Sequence, residues 1–317
     1  MKIKDIFSMA IEMGMEADPR GLEGARKVLT AAKKAYDKLP ENRRIYFDKD
    51  SLSNPYGDSR ILNGDPDTDI DTMIVGIDMD LPELLLTREL NRDGAGIGLV
   101  MSHHPRGIGL ADLAQVKDIQ TDSFSQAGIR LNETQEIMEP KIREVEHSVG
   151  SSNYQRTVDA ARLLGLNMVC IHTPCDNLVN NYLSRMFAAQ KPDTLDDIID
   201  LLLKEEEYAT AARCHNAPAI AAGSGSRSAG RVFVDMTGGT EGPSRYYSLL
   251  AQAGVSTVVC MAVSKEILDA ASESHLNVIS AGHMASDSLG VNLFLDKVSA
   301  GGVTIIPASG LIRVSRN

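Results

Sequence analysis

Apolar residues recur at helical spacing from the start of the chain: Ile3, Ile6, Phe7, Ala10 and Ile11 mark one face over 3–15. After Asp18-Pro19 a second stripe follows, with Leu22, Ala25, Val28, Leu29, Ala32 and Tyr36, and the two stripes predict a helical N-terminal pair. The stretch from about Asp48 to Asp71 loses this periodicity. Asn54-Pro-Tyr-Gly-Asp58 and Asn63-Gly-Asp-Pro66 supply turn formers instead, so it reads as loop. From Met73 short apolar runs alternate with amphipathic stretches. They predict strand 73–78, helix 81–92, strand 96–101, helices 110–128, 132–147 and 152–165, strand 167–172, and helices near 177–189 and 194–206. The second half repeats the alternation with strands 231–236, 255–262, 276–280 and 303–306 and helices 244–253, 264–275 and 286–297.

Such alternation predicts an α/β fold with mixed, mainly parallel sheets flanked by helices. The repeated alternation is a weak twofold echo and suggests two related lobes. Residues 1–60 form a helical N-terminal extension and loop on this reading, and 61–317 one α/β unit. Ala221–Gly230, rich in Gly and Ser, is the most flexible-looking internal stretch.

Composition narrows the partners. Apolar residues at 43% and charged residues at 24% are ordinary for a globular chain able to bury a sizeable core. The net charge of −11 argues against nucleic acid, which needs a basic face. The basic residues between Arg26 and Arg44 are interspersed along a helix and fit a solvated face. No apolar run approaches the roughly 20 residues of a membrane span, and Met1-Lys-Ile-Lys-Asp lacks a signal-peptide core, so a cytoplasmic protein is expected. Cys170, Cys175, Cys214 and Cys260 form no CxxC pair and are expected as reduced thiols. Cys170 and Cys260 sit inside apolar strands as small core residues, while Cys175 adjoins Asp176.

Chemistry concentrates at three strand ends. His103-His104-Pro105 closes the run Ile97-Gly-Leu-Val-Met101-Ser, His172-Thr-Pro-Cys-Asp176 follows Met168-Val-Cys-Ile, and His283 and Asp287 follow Val278-Ile-Ser-Ala-Gly. In open α/β sheets ligands collect beyond the carboxyl ends of strands. Neighbouring strand residues point to opposite faces, so His103 and His104 share a site only if the strand ends there, and Pro105 favours that. Otherwise one of them caps the loop. His283 and Asp287, four apart, lie on one helical face and could clamp a divalent cation; a helix N-cap is the alternative. Asp176 could bridge two cations. His172 could orient Asp176 or a bound water, or be a buried histidine satisfied by backbone.

Asp78, ending Met73-Ile-Val-Gly-Ile-Asp78, could support the site from behind or act as a base, although a plain loop carboxylate is the simpler reading, and Arg106 and Arg227 could hold a substrate phosphate. Gly223-Ser-Gly-Ser-Arg227 lacks the Lys-Ser/Thr ending of a nucleotide phosphate loop. Thr237-Gly-Gly-Thr-Glu-Gly242 could bring Glu241 towards the site, although a plain turn is the simpler reading.

Taken together, Ile70-Asp-Thr-Met-Ile-Val-Gly-Ile-Asp78, Met101-Ser-His-His-Pro105, His172-Thr-Pro-Cys-Asp176 and Ala281-Gly-His-Met-Ala-Ser-Asp287 resemble the GTP cyclohydrolase I type 2 family, also called Nif-three-like. The resemblance spans roughly residues 70 to 300. It implies two divalent cations (zinc, iron or manganese) on His103, His104, Asp176, His283 and Asp287, with Asp176 bridging. It further implies a hydrolase acting on a small molecule, in the name-giving case GTP, through metal-bound hydroxide. A homo-oligomer, a hexamer by resemblance, is also implied. A metal-binding or regulatory protein without turnover would use the same ligands. The chain departs from the family pattern at Asp287, where Glu is commoner, and along Val258–Lys265, where relatives carry a glycine, an acid and a lysine-histidine stretch.

Overall fold

The alternation of the sequence becomes two sheets built to one plan. The computed structural model describes all residues, Met1–Asn317. Helices α1 (Ile3–Glu16) and α2 (Gly21–Lys38) lead into β1 (Arg60–Asn63), β2 (Thr72–Gly76), α3 (Leu81–Arg92) and β3 (Leu99–Ser102). An insertion of α4 (Gly107–Ala111), α5 (Lys117–Gln126) and α6 (Leu131–Gly150) precedes α7 (Arg156–Leu164), β4 (Met168–Cys170) and α8 (Thr173–Gln190). After α9 (Leu195–Leu202) and α10 (Glu206–Arg213) the second lobe runs β5 (Ala219–Ala222), β6 (Val232–Asp235), α11 (Arg245–Gln252), β7 (Thr257–Cys260), α12 (Lys265–Glu273), β8 (Asn277–Ser280) and α13 (His283–Ala300). Strand β9 (Thr304–Ala308) returns to the first lobe.

The first sheet has the order β1-β4-β3-β2-β9 and the second β5-β8-β7-β6. Each carries one antiparallel edge strand, β1 or β5, and each of those pairings has a one-residue irregularity at the same place, between Ile61 and Asn63 and between Ile220 and Ala222. Registers match across the lobes as well. The row Gly76, Ser102, Cys170, Arg60 corresponds to Asp235, Cys260, Ser280, Ala219.

Side chains alternate through each sheet with the strand period. Met73, Val75, Leu99, Met101, Val169 and Ile171 face one core, while Ile74, Val100 and Met168 face α3 and α7. Helices α8 and α13 lie between the two sheets: Val291, Phe294 and Leu295 pack on the first, and Val179, Leu183 and Leu289 pack towards the second. A helix sandwiched in this way is buried on more than one face, so its apolar residues do not form a single stripe. The two helices also touch closely. A Cβ on Gly290 of α13 would lie 2.3 Å from the Cys175 carbonyl oxygen of α8, so only glycine fits.

The structure corrects several sequence expectations. Strand β1 lies inside the segment read as loop, β5 borders the Gly/Ser stretch, and α10 follows where one helix was expected to end. The helix expected over 110–128 is broken into α4, a 3-10 turn over Leu113–Val116, and α5. Ile3, Ile6 and Ala10 of α1 are buried in the core of the first lobe. All four cysteines are free thiols, with Cys214 exposed and the others buried. No helix is long and apolar enough to cross a membrane.

Candidate metal centre

The ends of β3 and β4 and the starts of α8 and α13 converge on one point. Strand β3 ends at Ser102: the consecutive His103 and His104 amides both donate to the same neighbour, to Gly76 O and Ile77 O at 2.9 Å, which the alternation of a ladder does not allow. Past the strand end the two side chains are released from strand alternation and turn to one site, His103 fully buried and His104 partly open. Their ring centroids are 5.4 Å apart. Asp287 sits between them, one oxygen 3.6 Å from His103 Nε2 and the other 3.3 Å from His104 Nε2. Gly282, at φ 106°, takes a backbone conformation open to glycine and starts α13, so that His283 and Asp287 lie one turn apart with Nε2 3.4 Å from Oδ2.

Each inner imidazole has its other nitrogen engaged. His103 Nδ1 bonds Ile171 O at 3.0 Å, His104 Nδ1 bonds Asp78 Oδ1 at 2.9 Å, and His172 Nδ1 bonds Asp58 Oδ2 at 2.8 Å. The Nε2 atoms are thus directed inward, as metal-bound histidines require. Asp176 offers one oxygen 3.4 Å from His103 Nε2 and the other 3.6 Å from His172 Nε2. His103 Nε2, Asp176 Oδ1 and both oxygens of Asp287 are buried without any hydrogen-bond partner. Buried polar atoms are almost always partnered, so four orphans at one point mark a missing partner. Ligands on a single tetrahedral ion, each about 2.0–2.2 Å from it, lie roughly 3.3–3.6 Å apart, and the individual His Nε2–Asp oxygen pairs here fall at 3.3–3.6 Å. Three groups of ligand atoms lie within 4.8 Å of one another: His103, Asp176 and Asp287; His104, His283 and Asp287; and His103, His104 and His172. These buried His/Asp groups could hold metal ions.

Electrostatics follow the same geometry. Burial would lower the pKa of His103, but the carboxylates of Asp287 and Asp176 outweigh it and raise it well above the usual value. Burial would raise that of Asp287, but His103, His104 and His283 hold it far below the carboxylate range. Asp58, fully buried, is opposed by desolvation yet held low by His172, Thr173 and Ser59.

No family model matches the sequence, and no curated protein matches it. Solved structures do. A NIF3 superfamily protein from Sphaerobacter thermophilus superposes with a TM-score of 0.73 at 24% identity, over 90% of this chain and 98% of that one. The chain shares the fold of this NIF3 superfamily protein. Reduced HcgD from Methanocaldococcus jannaschii (TM-score 0.48, 13% identity, 78% and 87% covered) and a Staphylococcus aureus protein (0.48, 11%, 97% and 96%) are more distant neighbours.

Within this NIF3 fold the structure brings His103, His104, Asp176, His283 and Asp287 together, and His172 with them. The shorter Asp287 side chain reaches both His104 and His283. Asp78 stands behind His104 and also accepts from Arg106 Nη2 at 2.9 Å. The Arg106 guanidinium is spent on Asp78 and on the carbonyls of Met79 and Pro105, so it braces the site. Arg227 is not brought near. It lies by Asn277, the first residue of β8, at the opposite end of the second sheet from His283. Glu241 does reach the site region: it lines the same cavity as His172, Asp176 and His283. Sequence reasoning missed Asp58, Gln120 and Asp235. Asp235 ends an apolar strand as Asp78 does, and the same signal would have found it.

Proposed function

We propose that the chain is a dinuclear-metal hydrolase acting on a small molecule. The observation that carries this is Asp287, whose two orphaned oxygens face different imidazoles, His103 on one side and His104 with His283 on the other. His103 and Asp176 would hold one ion and His104 and His283 the second, with Asp287 spanning the pair. Two such cations would supply a water acidified to near neutrality and an electrophile for a substrate oxygen. His172 contributes a positioned base. Asp58 fixes its Nδ1 as the donor, which would leave Nε2 at the cavity wall as a proton acceptor. His104 is held against rotation by Asp78, itself clamped by Arg106.

The test is metal content and turnover on one preparation. Purified protein should carry two metal equivalents and hydrolyse some member of a panel of small C–N and phosphate-bearing compounds, GTP among them, and His104→Ala should abolish both. Tight metal binding without turnover across the panel would establish a non-catalytic metal-binding protein instead.

A further inference from the structure

The cavity that meets His172, Asp176 and His283 on one side has a second wall made by the strand ends of the other lobe. Its volume is about 470 Å³, within the usual range for a small-molecule site. Met236, Tyr247, Met261 and Val263 give it apolar surface, and Asp235 and Glu241 give it carboxylates. No lysine or arginine lines it.

Asp235 is there because the lobes differ in one strand. Its counterpart in the first sheet is Gly76, where β9 packs alongside and a Cβ would fall 2.6 Å from Met79 Sδ and 2.8 Å from Ser309 Cβ. The second sheet has no strand beyond β6. The same register position is therefore free to carry a side chain, and it carries a carboxylate facing the cavity.

That carboxylate is held from behind. Lys117, wholly buried, donates from Nζ to Gln120 Oε1 at 3.0 Å and to the carbonyls of Thr240 and Glu241. With its oxygen taken by the ammonium, the Gln120 amide must turn its NH2 to Asp235, and Nε2 donates to Oδ1 at 3.2 Å. Lys117 is thereby consumed, and burial pushes its pKa down to about 7. It offers no charge to an anion in the cavity. Glu241 Oε1 is fixed in turn by the Ser264 amide at 2.6 Å. Burial pushes Asp235 up to about 6, with Gln120 and Lys117 opposing and Glu241 adding to the rise.

We infer that this cavity binds the organic part of the ligand, and that Asp235 accepts hydrogen bonds from an amide, amidine or guanidine N–H group while phosphate is excluded. The inference rests on the hydrolase reading only in calling that ligand a substrate. A planar nitrogen group anchored at Asp235 extends along the apolar wall towards His172 and His283, where the cations would act. The acidic wall disfavours a phosphate here in the way any unpaired like charge does.

The experiment is a fluorescence titration of the full chain with 4-aminobenzamidine, 4-aminobenzamide and 4-aminobenzoate, alongside metal analysis of the same samples. The amidine and the amide should saturate a single site and the benzoate should not. Asp235→Asn should weaken the amidine at least about tenfold, the worth of one hydrogen bond to a charged group, and leave metal content unchanged. Benzoate binding as tightly as amidine, amidine failing to bind, or Asp235→Asn binding amidine like the parent would each overturn the assignment. Should the variant not fold, the three-probe comparison on the unmodified protein decides alone. The two readings fail separately. A chain that takes up no metal but binds amidine through Asp235 loses the hydrolase reading and keeps the cavity. A chain holding two metal equivalents that ignores the amidine loses the cavity assignment and keeps the hydrolase.

Discussion

Replacing Asp78 by Asn tests how the centre is supported without touching a ligand atom. Asp78 is half exposed and accepts from His104 Nδ1 at 2.9 Å, and the imidazole then spans to the inward-facing Nε2. Adding the ring and one metal–nitrogen bond places the carboxylate about 7 Å from an ion on Nε2. A unit charge at that distance from a divalent cation is worth about 1.2 kcal/mol even at the dielectric of bulk water. Loss of the fixed ring orientation adds to this, so a fall in metal affinity of about 10- to 100-fold is expected. Stability should change little, because a half-exposed ion pair contributes about 0–1 kcal/mol. Competition against a chromophoric chelator measures the affinity and thermal unfolding the stability. An unchanged affinity would refute the reasoning, since His104 would then bind no ion or need no support. Affinity lost only together with the fold would refute it equally.

Three further outcomes follow from the same structure. Substituting His103 or Asp176 by Ala should remove metal by elemental analysis while far-ultraviolet circular dichroism stays native; retention of two equivalents would contradict the ligand assignment. Asp235→Asn should stabilise the protein at neutral pH. The native pKa of about 6 lies above the unfolded value of 3.8, so the ionised carboxylate destabilises above pH 6 and this cost disappears as pH falls towards 4. The gain is at most about 3 kcal/mol and smaller to the extent that water enters the cavity; melting curves showing no gain at neutral pH, or a gain that persists at pH 4, would count against it. Gly290→Ala should cost about 1–3 kcal/mol, because a methyl 2.3 Å from the Cys175 carbonyl must part α8 from α13. It should also weaken metal binding, since those helices carry Asp176 and Asp287; a normal melting temperature would refute the close contact.

Much of the fold is legible in the chain because period and burial agree. Met73–Gly76 and Leu99–Ser102 are apolar on both faces, as strands covered by helices on both sides must be. Strands β1 and β5 were not legible, because Arg60-Ile-Leu-Asn63 and Ala219-Ile-Ala-Ala222 carry no pattern of their own and are defined by the neighbours they pair with. The break near Asp112 was hidden for a similar reason, since Asp112 is recruited by Arg60 from far away in sequence. At the site, the histidines and their carboxylates stood out because they close strands, where an α/β fold exposes side chains to ligands. Asp58 and Gln120 act through partners more than a hundred residues distant, His172 and Asp235, and no local spacing announces such pairs. The residue between the imidazoles is likewise a matter of three-dimensional placement: the family resemblance points to Asp176 as the bridge, whereas the geometry sets Asp287 between His103 and His104.

The most direct measurement is anomalous scattering from crystals of the metal-loaded protein. Two peaks roughly 3.5–4 Å apart, one beside His103 and Asp176, the other beside His104 and His283, with Asp287 touching both, are the predicted result. A single peak, or ions bound elsewhere while these side chains stay unligated, would contradict the account.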